Sequence, residues 1–309
     1  MRKILPQAGY SQDKIFSITQ RLGENTIFHG APKAAVMTAE GFIMLRQPVV
    51  ADRFYPGDPT ILRQTLAGFI PAVQKKKKAL AVVVPHAGYV YSGAVAGETF
   101  AGVQIPETAL ILGPNHHGGG QPLALGISDW EMPLGGVPIE RGLAVSILRN
   151  SEIIVEDDIA HLQEHSLEVQ VPFLQFFQEN LKIVPIVVSQ VSYDLCRQAA
   201  QDLATAIREF NEPVLLVAST DMTHYESRQS AGRKDHLALE RILALDPQGL
   251  YETVLGNRIS MCGIMPTTIT LLTARELGAT QAKLVRYTDS GETSGDIEQV
   301  VGYAGLVIS

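Results

Sequence analysis

Cysteine is nearly absent from this chain: Cys196 and Cys262 are the only two among 309 residues. Two thiols cannot build a disulfide framework, so a reducing, cytoplasmic setting is expected. Long apolar runs are missing as well. None approaches the ~18 residues that a membrane span needs, and Met1-Arg2-Lys3 is not followed by the apolar core of a signal peptide, so no membrane association is expected. Positive charge is also scarce. Lys and Arg number 25 against 32 Asp and Glu, a net charge of −7, and the one basic block, Lys75 to Lys78, reads as a solvated lead-in to a strand. That balance argues against a nucleic-acid partner and leaves a small-molecule substrate as the expected one.

What remains is an ordinary globular composition, 46% hydrophobic and 18% charged, in a chain long enough for one large α/β domain or two ordinary ones. Residues 1–46 show no clean period and are set apart as an N-terminal extension of uncertain order, with Met44 as an alternative internal start. Residues 47–309 form the expected α/β domain. Four apolar runs, Leu80 to Val84, Ala109 to Leu112, Lys182 to Val188 and Val214 to Ser219, lack polar alternation, which predicts strands buried on both faces. Helical spacing separates them: Asp58 and Pro59 open a helix carrying Leu62, Leu66 and Phe69, and further helices are expected over Gly142 to Asn150, up to Phe177, and over Tyr193 to Phe210. Small residues from Ser92 to Gly97 suit a helix packed closely on a sheet. Residues 121–140 suggest a short strand pair. Helices over Arg233 to Leu245, Pro247 to Leu255 and from Met265-Pro266 to Gly278 follow, then strands over Ala282 to Tyr287 and Gly302 to Ile308. The alternation predicts a central, mainly parallel sheet with helices on both faces.

Chemistry concentrates where the predicted strands end. Pro85-His86-Ala87-Gly88-Tyr89 follows the first strand, Gly113-Pro114-Asn115-His116-His117 the second, and Thr220-Asp221-Met222-Thr223-His224 the fourth. In open α/β sheets this edge is where ligands bind, and it receives four of the eight histidines. Neutral imidazole is the commonest transition-metal ligand and a natural acid or base near neutral pH, so a metal site with an adjacent proton carrier is expected. Cys262 stands where a helix is about to begin, and unpaired amides there favour a thiolate, as a ligand or a nucleophile requires; a small buried residue is the competing reading. His165, between Glu164 and Glu168, reads either as an acid or base, as a partner that orients a ligand, or as a helix-entry residue in a local ion pair. Cys196, His29, His161 and His236 read as structural or surface residues.

Taken in order, Pro85-His86-Ala87-Gly88-Tyr89, Gly113-Pro114-Asn115-His116-His117, Glu164-His165-Ser166-Leu167-Glu168, Ser219 to His224 and Met261-Cys262-Gly263 resemble the signature motifs of the Memo family, known in prokaryotes as AmmeMemoRadiSam system protein B. The resemblance runs from about Pro48 onward. It implies a fold similar to class III extradiol dioxygenases, non-haem iron enzymes that open catechol rings. It also implies metal-binding positions at His86, His116 and Cys262, neighbouring cleft residues at Asp221 and His224, and partners among the other components of the AmmeMemoRadiSam system. His224 falls where the dioxygenases place their acid-base histidine. Those enzymes complete their ligand set with a carboxylate; here the softer Cys262 matches that position, which admits copper or zinc as well as iron. Three functions are therefore weighed: a metal-dependent oxidoreductase in which His224, Asp221 and His165 serve the chemistry, a metal-binding interaction protein without turnover, and a zinc-assisted hydrolase.

Overall fold

The computed structural model of the chain describes residues 35–38, 41–71 and 76–309. Its first half runs β1 (Ala35–Thr38), β2 (Gly41–Arg46), α1 (Pro59–Phe69), β3 (Ala81–Val84), α2 (Tyr89–Ala101), β4 (Thr108–Pro114), β5 (Leu123–Leu125), β6 (Asp129–Trp130), α3 (Arg141–Asn150) and β7 (Val155–Glu156). The second half runs α4 (Val171–Phe177), β8 (Lys182–Val188), α5 (Tyr193–Phe210), β9 (Val214–Ser219), β10 (His224–Glu226), α6 (Arg228–Leu243), α7 (Pro247–Gly256), α8 (Ile264–Glu276), β11 (Ala282–Asp289), α9 (Gly291–Ser294) and β12 (Val300–Ile308). Most of the extension expected over residues 1–46 lies outside the described residues, as does His29. Strand β2 pairs in parallel with β6, Leu45 opposite Asp129 and Arg46 opposite Trp130. Among the described residues no helix is long and apolar enough to cross a membrane.

All four apolar runs form the parallel centre of a nine-stranded sheet, in the spatial order β3-β9-β4-β8. Every residue of β3 and β4 is buried. Two-sided burial removes any need for polar alternation, which is why these strands read as continuous apolar runs. Antiparallel pairings extend the sheet: β12 lies against β3 and itself carries β10 and β11, while β5 adds to β8 and then pairs in parallel with β7.

The crossovers fix where the helices lie. From β3 through α2 to β4 the chain steps across β9 in one direction, and from β8 through α5 to β9 it steps back across β4. Right-handed connections that run in opposite senses put their helices on opposite faces. Helix α2 packs on β3, β11 and β12 together with α1 and α4, whereas α8 packs on β3, β4 and β9 with α5 against it. Local chemistry sets the helix ends. The Asp58 carboxylate accepts from the Thr60 and Ile61 N–H groups at 2.8 and 2.9 Å with Pro59 at the first position, and Ser192 and Ser227 cap α5 and α6.

Three expectations are corrected. Residues 121–140 pair with one another only at a single antiparallel bridge, Trp130 to Val137, because β5 joins the large sheet while β6 joins β1 and β2 in a separate one. Helix α6 begins at Arg228, five residues earlier than polarity suggested, because Ser227 caps it. The small residues of α2 face another helix as well as the sheet: a Cβ at Gly93 would stand 2.5 Å from the Phe69 ring, and one at Gly97 would stand 2.7 Å from the Phe69 carbonyl oxygen. Close approach of α2 to the sheet is made by the strand instead, at Gly305, where a Cβ would meet Thr99 at 2.0 Å.

Candidate metal centre

Since β9 lies between β3 and β4, the segment carrying Asp221 leaves the sheet between those carrying His86 and His116. Asp221 forms a buried floor: its Oδ1 accepts the His86 backbone N–H at 2.7 Å, and burial pushes its carboxyl up against the opposing pull of the His86 and Ala87 amides. His86 is 2% exposed. Its Nδ1 lies 2.9 Å from Ser219 Oγ, and that hydroxyl donates its own proton to the Ser166 carbonyl at 2.6 Å. Nδ1 must therefore carry the hydrogen, which leaves the Nε2 lone pair turned to the cleft. Burial first, then the neighbouring His116 and His165 rings, hold the imidazole well below its usual pKa and so neutral. Gln170 Nε2 fixes the same serine, donating to Ser219 Oγ at 2.9 Å and to the Pro85 carbonyl at 2.8 Å.

His116 is oriented from behind by Glu164. The buried carboxylate accepts the His116 Nδ1–H at 2.9 Å and the backbone N–H groups of His116, His165 and Ser166 at 2.7, 3.0 and 2.8 Å. Burial alone would raise the Glu164 pKa, but the His116 ring and these amides outweigh it and hold the group well below the carboxylate range. A carboxylate on Nδ1 sets the tautomer with Nε2 free, the usual support of a metal-binding histidine. His165 Nδ1 stands 3.5 Å from the same carboxylate, its ring stacked on His116 at 4.7 Å between centroids and edge-on to Phe54 at 5.0 Å. Burial above all lowers the His165 pKa to about 4, against the pull of Glu164.

One ring nitrogen each from His86, His116 and His165 lies within 4.8 Å of the others. The geometry thus brings together two of the three sequence-designated ligands and adds His165, which the residues alone had left among several roles. Cys262 adjoins the group on one side. Its Sγ is 3.2 Å from His86 Nε2 and accepts the Asp221 backbone N–H at 3.2 Å. The expectation that helix-end amides would favour a thiolate is corrected. Burial first, then Asp221, push the Cys262 thiol up and outweigh the opposing pull of the Asp221 and Gly263 amides and of the Thr220 hydroxyl; the Gly263 amide, at the N-cap, also donates to Thr220 Oγ1 at 2.9 Å. In the absence of an ion the thiol is a donor to the His86 lone pair. His224 lines the same cleft, its Nδ1 donating to the Ser260 carbonyl at 2.9 Å, so its Nε2 is free to take a proton. His117 and His236 are exposed, and Cys196 is buried against Met265.

The cleft encloses about 470 Å³, with Phe54, Tyr91, Tyr225 and Tyr303 among its walls. Tyr225 is 73% exposed and sits in left-handed backbone at φ 57°, where the β10–β12 register slips between His224 and Glu226. Such strain in a non-glycine residue collects at functional sites.

A second layer escaped the sequence. Arg46, 5% exposed, donates to Glu168 Oε2 at 2.5 Å, to the Glu164 carbonyl at 2.5 Å and to the His161 carbonyl at 3.0 Å, with its guanidinium 4.1 Å over Trp130. Glu168 also accepts from the Val49 and Val50 amides and from Tyr55 Oη. The two glutamates of one short motif are thus hubs, one holding the imidazoles and one tying residues 46–55 beside them. The motif's Glu-x-x-x-Glu spacing was visible; the partner in Arg46 was not.

His161 proves structural. It is 3% exposed, its Nε2 donates to the Ala124 carbonyl at 3.0 Å, and burial lowers its pKa to about 4. A histidine kept neutral in the fold but protonated when unfolded contributes stability that is complete above its unfolded pKa of 6.5 and is lost as pH falls toward 4. Urea unfolding at pH 7.5 and 4.5 should show a loss about 3 kcal/mol larger in the wild type than in His161→Gln. Equal losses would mean that His161 is not held neutral.

The chain as a whole is similar to known proteins. Residues 46–307 match the family model for Memo-like protein. MEMO1 family proteins of Methanothermobacter thermautotrophicus and Methanopyrus kandleri are 40% and 39% identical to this chain, each over 85% of it and over 100% and 99% of their own length. That of Aquifex aeolicus is 41% identical over 85% of this chain and 98% of its own. A crystal structure of an uncharacterized protein from Escherichia coli K12 is alike at a TM-score of 0.49 and 13% identity, over 74% of this chain and all of that one, too distant to bear on function. A match that begins at Arg46 and spans every strand exit described above, carried by relatives aligned over almost their whole length, shows that this chain belongs to the Memo family.

Proposed function

We propose that the cleft holds a single metal ion, iron or copper with zinc as a further candidate, and that the protein is a metal-dependent oxidoreductase acting on a small molecule. The observation that carries this reading is the convergence of three imidazoles whose ring nitrogens lie within 4.8 Å of one another, two of them with Nδ1 already fixed by hydrogen bonds to Ser219 and Glu164. Packing alone gives three histidines no reason to bring their ring nitrogens this close together. His86 and His116 are the first two donors, and the third is Cys262 or His165. When bound, iron or copper supplies Lewis-acid polarisation and redox chemistry.

The chain's own residues supply the rest. Asp221 holds the His86 backbone and presents a buried carboxylate to the cleft. His224, with Nδ1–H committed to Ser260, takes or returns a proton at Nε2. Phe54 and Tyr225 give the cleft aromatic walls. A non-catalytic metal-binding role keeps the same donors and differs in having no open position. Partners among the AmmeMemoRadiSam components remain part of the proposal through family resemblance alone.

Anaerobic purification, elemental analysis and metal-edge spectroscopy test it together. The expected result is close to one equivalent of iron or copper, with nitrogen-rich scattering, a vacant position and oxygen uptake in the presence of reductant or substrate. Stoichiometric zinc with metal-dependent ester cleavage would instead support hydrolysis. A protein that neither retains nor takes up metal would refute the reading.

A further inference from the structure

Tyr303 is a buried tyrosine whose hydroxyl bonds nothing among the described residues. The other two fully buried tyrosines among the described residues are satisfied, Tyr55 donating to Glu168 and Tyr89 to the Val169 carbonyl; half-buried Tyr251 and Tyr287 also donate, to the Val191 carbonyl and to Asp235, whereas half-buried Tyr193 does not. Tyr303 is only 2% exposed, yet its hydroxyl has no hydrogen-bond partner among the described residues. It is also not among the polar atoms sealed from solvent without a partner. The side chain lines the cleft, so its hydroxyl opens there. Buried phenol groups ordinarily find a partner, and this one is directed at space that a ligand can fill.

Its position is tightly determined. Tyr303 lies in the interior of β12, opposite Thr288 of β11, and β12 is joined to the segment after β9 by Met222 N–H to the Gly302 carbonyl at 2.8 Å and Gly302 N–H to the Thr223 carbonyl at 2.9 Å. A Cβ at Gly302 would meet Asp235 Oδ2 at 2.1 Å, so only glycine lets the strand lie this close. Burial first, and then nearby Asp221, keep the phenol protonated; it is a donor. Among the described residues no lysine or arginine lines the cleft, while Asp221 and Asp296 do. A phosphate or other polyanion would find no cationic side chain. Phe54 and the exposed Tyr225 offer flat apolar surface.

We infer that Tyr303 is a ligand-contact residue whose hydroxyl donates to an oxygen substituent of a small, planar, weakly charged molecule lying against the aromatic wall. This takes the cleft as the ligand site, as the preceding reading does, but requires no particular metal.

The full-length protein as purified, its metal content measured in parallel, is titrated with 4-fluorophenol and with 4-fluorotoluene, and binding is read from ¹⁹F NMR line widths. Tyr303→Phe removes one oxygen that bonds nothing among the described residues, so folding and metal content should be unchanged. It should weaken 4-fluorophenol about three- to tenfold, the usual worth of one neutral hydrogen bond, and leave 4-fluorotoluene as it was. Tyr225→Ala should weaken both probes together. Equal affinity of wild type and Tyr303→Phe for 4-fluorophenol, or no saturable binding of it to the wild type, would overturn the inference. Loss of the metal reading would show instead in the metal content.

Discussion

Replacing Arg46 with methionine is expected to lower the unfolding free energy by about 3–5 kcal/mol, the usual consequence of stranding one member of a buried ion pair. Glu168 is fully buried; without the guanidinium its charge would rest on the Val49 and Val50 amides and Tyr55 alone. The carbonyls of His161 and Glu164 would lose their donor too. Arg46→Lys should recover only part of the loss, since an ammonium cannot reach three acceptors in one plane or stack on Trp130 as a guanidinium does. The matched control is Arg149→Met, which breaks a pair with Glu209 whose side chains are 67% and 43% exposed; solvent screens that pair, so the loss should be far smaller. Urea unfolding at pH 7.5 measures all three variants. A loss at Arg46 no larger than at Arg149 would show that Glu168 is stabilised without it.

His86→Ala and His116→Ala are each expected to abolish tight metal retention, and the identity of the third donor then follows from two further variants. If Cys262 is that donor, Cys262→Ser releases most of the metal, and Cys262→Asp, a hard carboxylate in place of a soft thiolate, keeps some iron and loses preference for copper. If His165 is the third donor, His165→Ala releases the metal and Cys262→Ser does not. Glu164→Gln separates support from ligation: it leaves all donors in place but removes the carboxylate that fixes His116, which should weaken metal binding about 10–100-fold. Elemental analysis and competitive chelator titration under identical anaerobic conditions read every variant. Unchanged metal content in His86→Ala would move the centre elsewhere. A nucleophilic role for Cys262 would give yet another pattern, with activity lost and metal retained in both of its variants.

How legible this was depended on whether the determining interaction lay near in sequence. The four parallel strands could be read because two-sided burial writes itself as an unbroken apolar run, and the edge bearing His86, His116, Asp221 and His224 followed from where those runs stop. The strand pair expected within residues 121–140 misled because the pairing partners of β5 and β6 are remote: Leu123 meets Val188, and Asp129 meets Leu45. The same reason hid the Arg46 network, since its contacts span 115 to 122 residues. Tyr303 gave no signal at all. A tyrosine in an apolar strand is ordinary core until its hydroxyl is found facing an opening.

One feature of the sheet bears on how the protein is made. Strand β3 is flanked by β9 on one side and β12 on the other, Val83 pairing with both Ala218 and Leu306. During synthesis, the segment bearing His86 leaves the ribosome long before either neighbour, and its apolar edges stay unpaired until the rest of the sheet has emerged. The cleft is consequently the last part of the domain to exist, closing only when β12 docks and carries Tyr303 to Asp221. A ribosome-bound chain halted before residue 300 should therefore be a client for chaperones that shield strand edges, and a metal ion delivered that early would find histidines but no centre.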